Sequence, residues 1–71
     1  MQTADLVRMI NQISDYFSAY PEEEAITGIV DHLEAFWEPR MREDLLAAWN
    51  AGSCDGLNAL ADMATGRMAA A

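Results

Sequence analysis

Apolar residues recur at helical spacing along nearly the whole chain, and no stretch alternates with the period of two that a strand would show. In the first segment Leu6, Ile10, Ile13, Phe17 and Tyr20 step by four, three, four and three residues. That rhythm predicts one apolar stripe on a helix over residues 4–19, with Arg8, Asn11, Gln12 and Asp15 on the opposite side. Thr3 is the expected N-cap, and Asp5 lies where a carboxylate favours the helix dipole. The Tyr20-Pro21 step ends this helix, because the residue before proline is driven out of the α region. Pro21 then suits the start of a second helix over 22–37, whose first turn holds Glu22, Glu23 and Glu24.

The second segment has the broadest apolar side. At about 100° per residue, Ile26, Val30, Leu33 and Trp37 form one stripe, and Ala25, Ile29, His32 and Phe36 form another beside it. Two large aromatics in succession cannot share one core contact, so Phe36 or Trp37 must face a different helix or a different molecule. Pro39 turns a corner into a third helix over 40–50, carrying Met41, Leu45, Leu46 and Trp49. After Gly52, Ser53 is the expected cap of a short, weakly apolar fourth helix over 54–65, closed near Gly66, with 66–71 a frayed tail. The expected architecture is all-α: one domain, a bundle of three helices plus a short C-terminal fourth.

Composition narrows what such a bundle does. With 71 residues it buries only about 60% of its unfolded surface, for a stability of roughly 4–10 kcal/mol. Cys54 is the only cysteine and His32 the only histidine, so neither an internal disulfide nor a thiolate or histidine metal cluster can form. A partner protein is the remaining source of added stability. Twelve acidic residues stand against four arginines and no lysine, a formal charge of −8. That balance opposes nucleic-acid binding and anionic membrane surfaces alike. No apolar run approaches the roughly 20 residues of a membrane span, and Met1 to Ile10 lack a basic start followed by an apolar block. A cytoplasmic protein is expected.

Catalytic arrangements are missing from the sequence. Cys54 lies in the turn Gly52-Ser53-Cys54-Asp55-Gly56 with no basic neighbour to activate it. Asp31, Glu34 and Glu38 share a helix face, but a working carboxylate pair needs a pocket that separates its pKa values. They read as a solvated acidic face, and no phosphate-binding glycine loop is present. The corner after the second helix is the more informative feature. Arg40 and Arg42, half of the positive charge, lie within three to five residues of Trp37, with Pro39 and Met41 between, and Trp and Arg are enriched in binding hot spots. The competing reading leaves Trp37 in the core and pairs the two arginines with Glu38, Glu43 or Asp44.

The stretch His32-Leu33-Glu34-Ala35-Phe36-Trp37-Glu38-Pro39-Arg40-Met41-Arg42 resembles the signature of the delta subunit of bacterial NAD-dependent formate dehydrogenases. That family reads there as His-Leu, two variable residues, then Phe-Trp-Asp/Glu-Pro-Arg-Met. Leu6 to Ile13 with Phe17 is similar to the family's first helix, and Gly56 to Leu60 to its C-terminal segment, so the likeness spans about residues 5–62. Ile10 departs from the family's smaller residue and implies local repacking. The resemblance implies a non-catalytic accessory subunit beside a catalytic alpha subunit that holds bis-molybdopterin guanine dinucleotide and iron–sulfur clusters, with flavin on other subunits. It agrees with the reading of the residues themselves, which expects a partner interface at His32, Phe36, Trp37, Pro39, Arg40, Met41 and Arg42 and no cofactor or metal on this chain. Three roles stay open: a resident subunit, a transient factor for cofactor insertion, and an unrelated module that pairs with itself.

Overall fold

The computed structural model describes all residues, Met1–Ala71, and contains four helices and no strand. They are α1 (Thr3–Phe17), α2 (Glu22–Phe36), α3 (Pro39–Asn50) and α4 (Ala59–Ala70). The all-α bundle expected from the periodicity is therefore the fold. No helix is long and apolar enough to cross a membrane.

The core is made by all four helices. Leu6 and Ile10 of α1 meet Ile26, Ile29 and Leu33 of α2, Leu45 of α3, and Ala61 and Ala64 of α4, with Trp37 closing the end. Two buried hydroxyls satisfy themselves locally: Ser14 Oγ donates to the Ile10 carbonyl and Thr65 Oγ1 to the Ala61 carbonyl, each at 2.8 Å. No buried side-chain nitrogen or oxygen lacks a partner, as a small core with little stability to spare requires.

Several boundaries differ from the sequence expectation, each for a local reason. Thr3 is the first helical residue rather than the cap; Gln2 holds the N-cap position and makes no side-chain capping bond. Helix α1 stops at Phe17, two residues short of 19, where Ser18 Oγ donates back to the Asp15 carbonyl at 2.6 Å. Tyr20 consequently leaves the predicted stripe and is half-exposed.

The largest correction concerns α4. Ser53 caps nothing; residues 51–58 form a loop in which Gly52 and Gly56 adopt φ values of +72° and +89°, a region open to glycine at little cost. The cap is Asn58, whose side chain accepts from the Ala61 amide at 2.8 Å. Asn58 is itself held by α1, for its amide donates to Asn11 Oδ1 at 2.9 Å while Asn11 Nδ2 donates to the Gly56 carbonyl at 2.8 Å. At the other end the helix continues through Gly66 to Ala70, so the expected frayed tail is helical. Gly66 is a packing residue, since a Cβ there would lie 3.4 Å from the Trp49 ring. Arg67 then forks onto Glu23 of α2, at 2.6 Å and 3.0 Å, tying the end of α4 to the start of α2.

Candidate functional site

The paired aromatics at the end of α2 diverge. Trp37 turns into the core and is 6% exposed, whereas Phe36 projects outward and is 75% exposed. The expectation that the two could not share one contact holds. Phe36 is not bare of neighbours, because His32, one turn earlier, stacks against it with ring centres 4.8 Å apart and a tilt of 41°.

Beside them runs an open groove of about 680 Å³ between α1 and α2. Met9, Gln12, Ile13, Tyr16 and Phe17 form its α1 side, and His32 and Trp37 its α2 side. Tyr16 is 69% exposed and meets Phe17 edge to face at 5.0 Å, and the Tyr20 ring follows 6.0 Å from Phe17. The two helices approach closely at this wall: a Cβ on Gly28 would fall 2.5 Å from the Phe17 ring, so glycine leaves the space the ring fills. Tyr16, Tyr20 and Phe36 thus stand on the surface of a chain whose whole accessible area is 4304 Å². Tyr16 lines the groove directly, Tyr20 adjoins it through Phe17 and Phe36 through His32, and exposed apolar surface of this kind, where it gathers in one patch, marks interaction sites.

The corner singled out from the sequence splits into parts. His32, Phe36 and Trp37 belong to the groove side. Arg42 does not reach outward: its Nη1 donates to the carbonyls of Trp37 at 2.7 Å, Leu33 at 3.3 Å and Glu34 at 3.4 Å. Helix α2 carries no basic residue in its own last turn. Arg42, from the next helix, supplies the positive charge that the orphan carbonyls and the negative dipole end call for. The pairing of Arg42 with a carboxylate, weighed as the bland alternative, is not made. Arg40 is exposed and lies 3.8 Å from Asp44, as that alternative had it. Pro39 is exposed and Met41 rests half-buried against the core. Pro39 and Arg42 border a smaller hollow of about 340 Å³ with Val30, Leu46 and Met68.

On the α1 side, Ile13 and Phe17 belong to the stripe read from the sequence, whereas Met9 and Tyr16 escaped that reading and Gln12, expected on the opposite side, lines the groove. Met9 and Tyr16 flank Ile13 at spacings of four and three, and that spacing was the signal available.

Electrostatically the molecule has little positive charge to spare. Arg8 pairs with Asp5, Arg40 with Asp44, Arg67 with Glu23, and Arg42 with backbone carbonyls. Three of the twelve carboxylates are thereby in ion pairs, leaving nine without one. Glu23 is held below the usual carboxylate range by its hydrogen bond from Arg67 and by that residue's charge. Asp31, Glu34 and Glu38 are exposed, as a solvated acidic face should be. Cys54 is half-buried with its thiol 3.8 Å from the Leu45 carbonyl, and burial, then Asp55 and Asp62, push its pKa up, the wrong direction for a nucleophile. No three His, Cys, Asp or Glu side chains converge where they could hold a metal ion. The donor set therefore does not fit a molybdenum centre, an iron–sulfur cluster or a zinc ion.

The fold and surface together define a small all-helical chain with an open, largely aromatic groove between its first two helices. A family model for the NADH-dependent formate dehydrogenase delta subunit, FdsD, matches residues 5–65. The chain belongs to that family. No curated protein and no solved structure matches it.

Proposed function

We propose that this chain is a non-catalytic accessory subunit of a cytoplasmic, NAD-dependent formate dehydrogenase, seated on the catalytic alpha subunit and supporting its assembly and stability. Membership of the delta-subunit family supplies the complex. The observation that carries the mode of action is the exposed aromatic wall, Tyr16 at 69% and Phe36 at 75%. Large aromatic surface left in water is unfavourable for an isolated domain and favourable once a partner covers it. In this reading bis-molybdopterin guanine dinucleotide, iron–sulfur clusters and flavin all reside on the partner subunits. The partner contact centres on His32, Phe36 and Trp37 with the α1 aromatics, while Pro39, Arg40, Met41 and Arg42 shape the corner beside it.

A transient role in cofactor insertion would be favoured by a loosely held C-terminal helix. Helix α4 is instead tied at both ends, by Asn58 to Asn11 and by Arg67 to Glu23, which weighs toward a resident subunit.

Affinity capture of the tagged chain from its native host tests this. Co-purification of active, metal-loaded formate dehydrogenase in fixed ratio is the expected result. Recovery of only inactive, cofactor-poor alpha subunit would replace residence with a maturation role. Absence of any formate dehydrogenase subunit would overturn the proposal.

A further inference from the structure

Resting on the accessory-subunit reading, we infer that the α1/α2 groove receives an amphipathic helix of the alpha subunit, apolar on the face it buries and flanked by lysine or arginine. Three observations lead there.

The first is the chemistry of the groove itself. Its lining contains no carboxylate and no arginine; Gln12, His32 and the Tyr16 hydroxyl are its main polar groups, beside Met9, Ile13, Phe17 and Trp37. An occupant must therefore present mainly apolar groups. The groove is also open along its length rather than closed over, whereas small-molecule sites bury most of their ligand.

The second is that this protein has no strand and hence no sheet edge. An extended segment could not satisfy its backbone amides and carbonyls by adding to a sheet, and unpaired backbone groups pressed on apolar rings are costly. A helix arrives with its backbone already paired and lays one face into such a groove, anchored at spacings of three and four.

The third is charge. Asp15, Asp31 and Glu38 are next in sequence to the lining residues Tyr16, His32 and Trp37, and all three are exposed without an ion-pair partner. Every arginine is engaged within the chain: Arg8, Arg40 and Arg67 by carboxylates, Arg42 by carbonyls. Of the charged residues next in sequence to the groove lining, Arg8 is neutralised by Asp5 and the three carboxylates are not, so these bordering positions carry net negative charge on a chain of net −8. A second copy of this chain would bring the same rim against it, and like charges across an interface oppose association. A basic-flanked helix meets both the apolar floor and the acidic edge, and the long-range field speeds its arrival.

Full-length chain in which Tyr16 or Phe36 is replaced by the photoreactive p-benzoylphenylalanine, with Ala51 in the loop after α3 replaced as control, would be mixed with purified alpha subunit. Cross-links would be mapped, and affinity measured at low and high salt. The expected result is cross-linking from positions 16 and 36 but not 51, into an alpha-subunit segment with helically spaced apolar residues and an excess of Lys and Arg. Affinity should fall at least tenfold on raising NaCl from about 0.05 to 0.5 M, as surface charge is screened. Phe36→Ala should weaken binding about tenfold or more with an unchanged circular dichroism spectrum, as loss of a buried aromatic anchor does. Cross-links into a neutral or acidic segment, into a second copy of the chain, or from position 51 alone would overturn the inference while leaving the accessory role standing. Failure of the alpha subunit to bind at all would remove the accessory role and the inference together.

Discussion

The two sides of this bundle are finished differently. On the α2/α4 side small residues, Ala61, Ala64 and Thr65, let the helices approach and are completely buried. Polar clasps tie α4 to each of the other helices: Arg67 to Glu23 of α2, Asn58 at its start to Asn11 of α1, and Trp49 Nε1 of α3 donating to Asp62 Oδ1 at 2.8 Å. On the α1/α2 side the chain places both tyrosines and both phenylalanines and leaves Tyr16, Tyr20 and Phe36 in water. One side is closed by the chain itself, and the other is left open to solvent. A small domain of about 4–10 kcal/mol stability thus exposes aromatics on one side and packs small residues under polar clasps on the other.

That contrast can be broken most forcefully on the closed side. Ala64→Leu inserts three carbons into a site with no exposure; overpacking of this kind should destabilise by about 3 kcal/mol, read as a fall in the urea midpoint of helical circular dichroism. Asn58→Ala removes the cap of α4 and the long side-chain bond from Asn58 Nδ2 to the Asn11 carbonyl, while the backbone amide keeps its bond to Asn11 Oδ1. A loss of about 1–2 kcal/mol is expected, with hydrogen exchange in residues 59–62 accelerating first. The Glu23–Arg67 clasp is smaller still and depends on pH. The Glu23 pKa is lowered in the folded chain, so its contribution is complete above the ordinary glutamate value of about 4.3 and is lost as pH falls through the folded value. The melting temperatures of wild type and Arg67→Gln should therefore differ slightly at pH 7, converge in acid once Glu23 is protonated in the folded chain, and differ less in high salt because the pair is exposed. At the open side the expected effect on stability is the least of all. Phe36→Ala should leave the urea midpoint within about 0.5 kcal/mol of wild type, and a large loss there would mean that the ring belongs to the fold.

How far the sequence foretold this molecule follows the same division. Three helices were legible because prolines mark their borders and because Leu6, Ile10, Ile29, Leu33 and Leu45 are large enough to set a period. The fourth was misplaced because its buried face is alanine, threonine and glycine, which carry almost no hydropathic signal; only the neighbouring Trp49 ring explains Gly66. Ser53 looked like a cap as much as Asn58 does, and the choice between them lies in Asn11, 47 residues away. At the candidate site, the divergence of Phe36 and Trp37 followed from their adjacency alone. The inward role of Arg42 did not, since a cation near carboxylates in sequence gives no hint that three carbonyls at a helix end will claim it. The α1 wall was hidden in a different way: a residue such as Tyr16 is apolar enough to be read as core and polar enough to stand in solvent.

The chain has only two tryptophans, and the fold assigns one to each side. The indole of Trp37 floors the groove, whereas that of Trp49 leans over Gly66 with its N–H on Asp62. Each side therefore carries its own native fluorophore. Replacing either one with phenylalanine leaves a single emitter, so that spectral shift and quencher access report separately on filling of the groove and on the seating of the last helix, with no label attached.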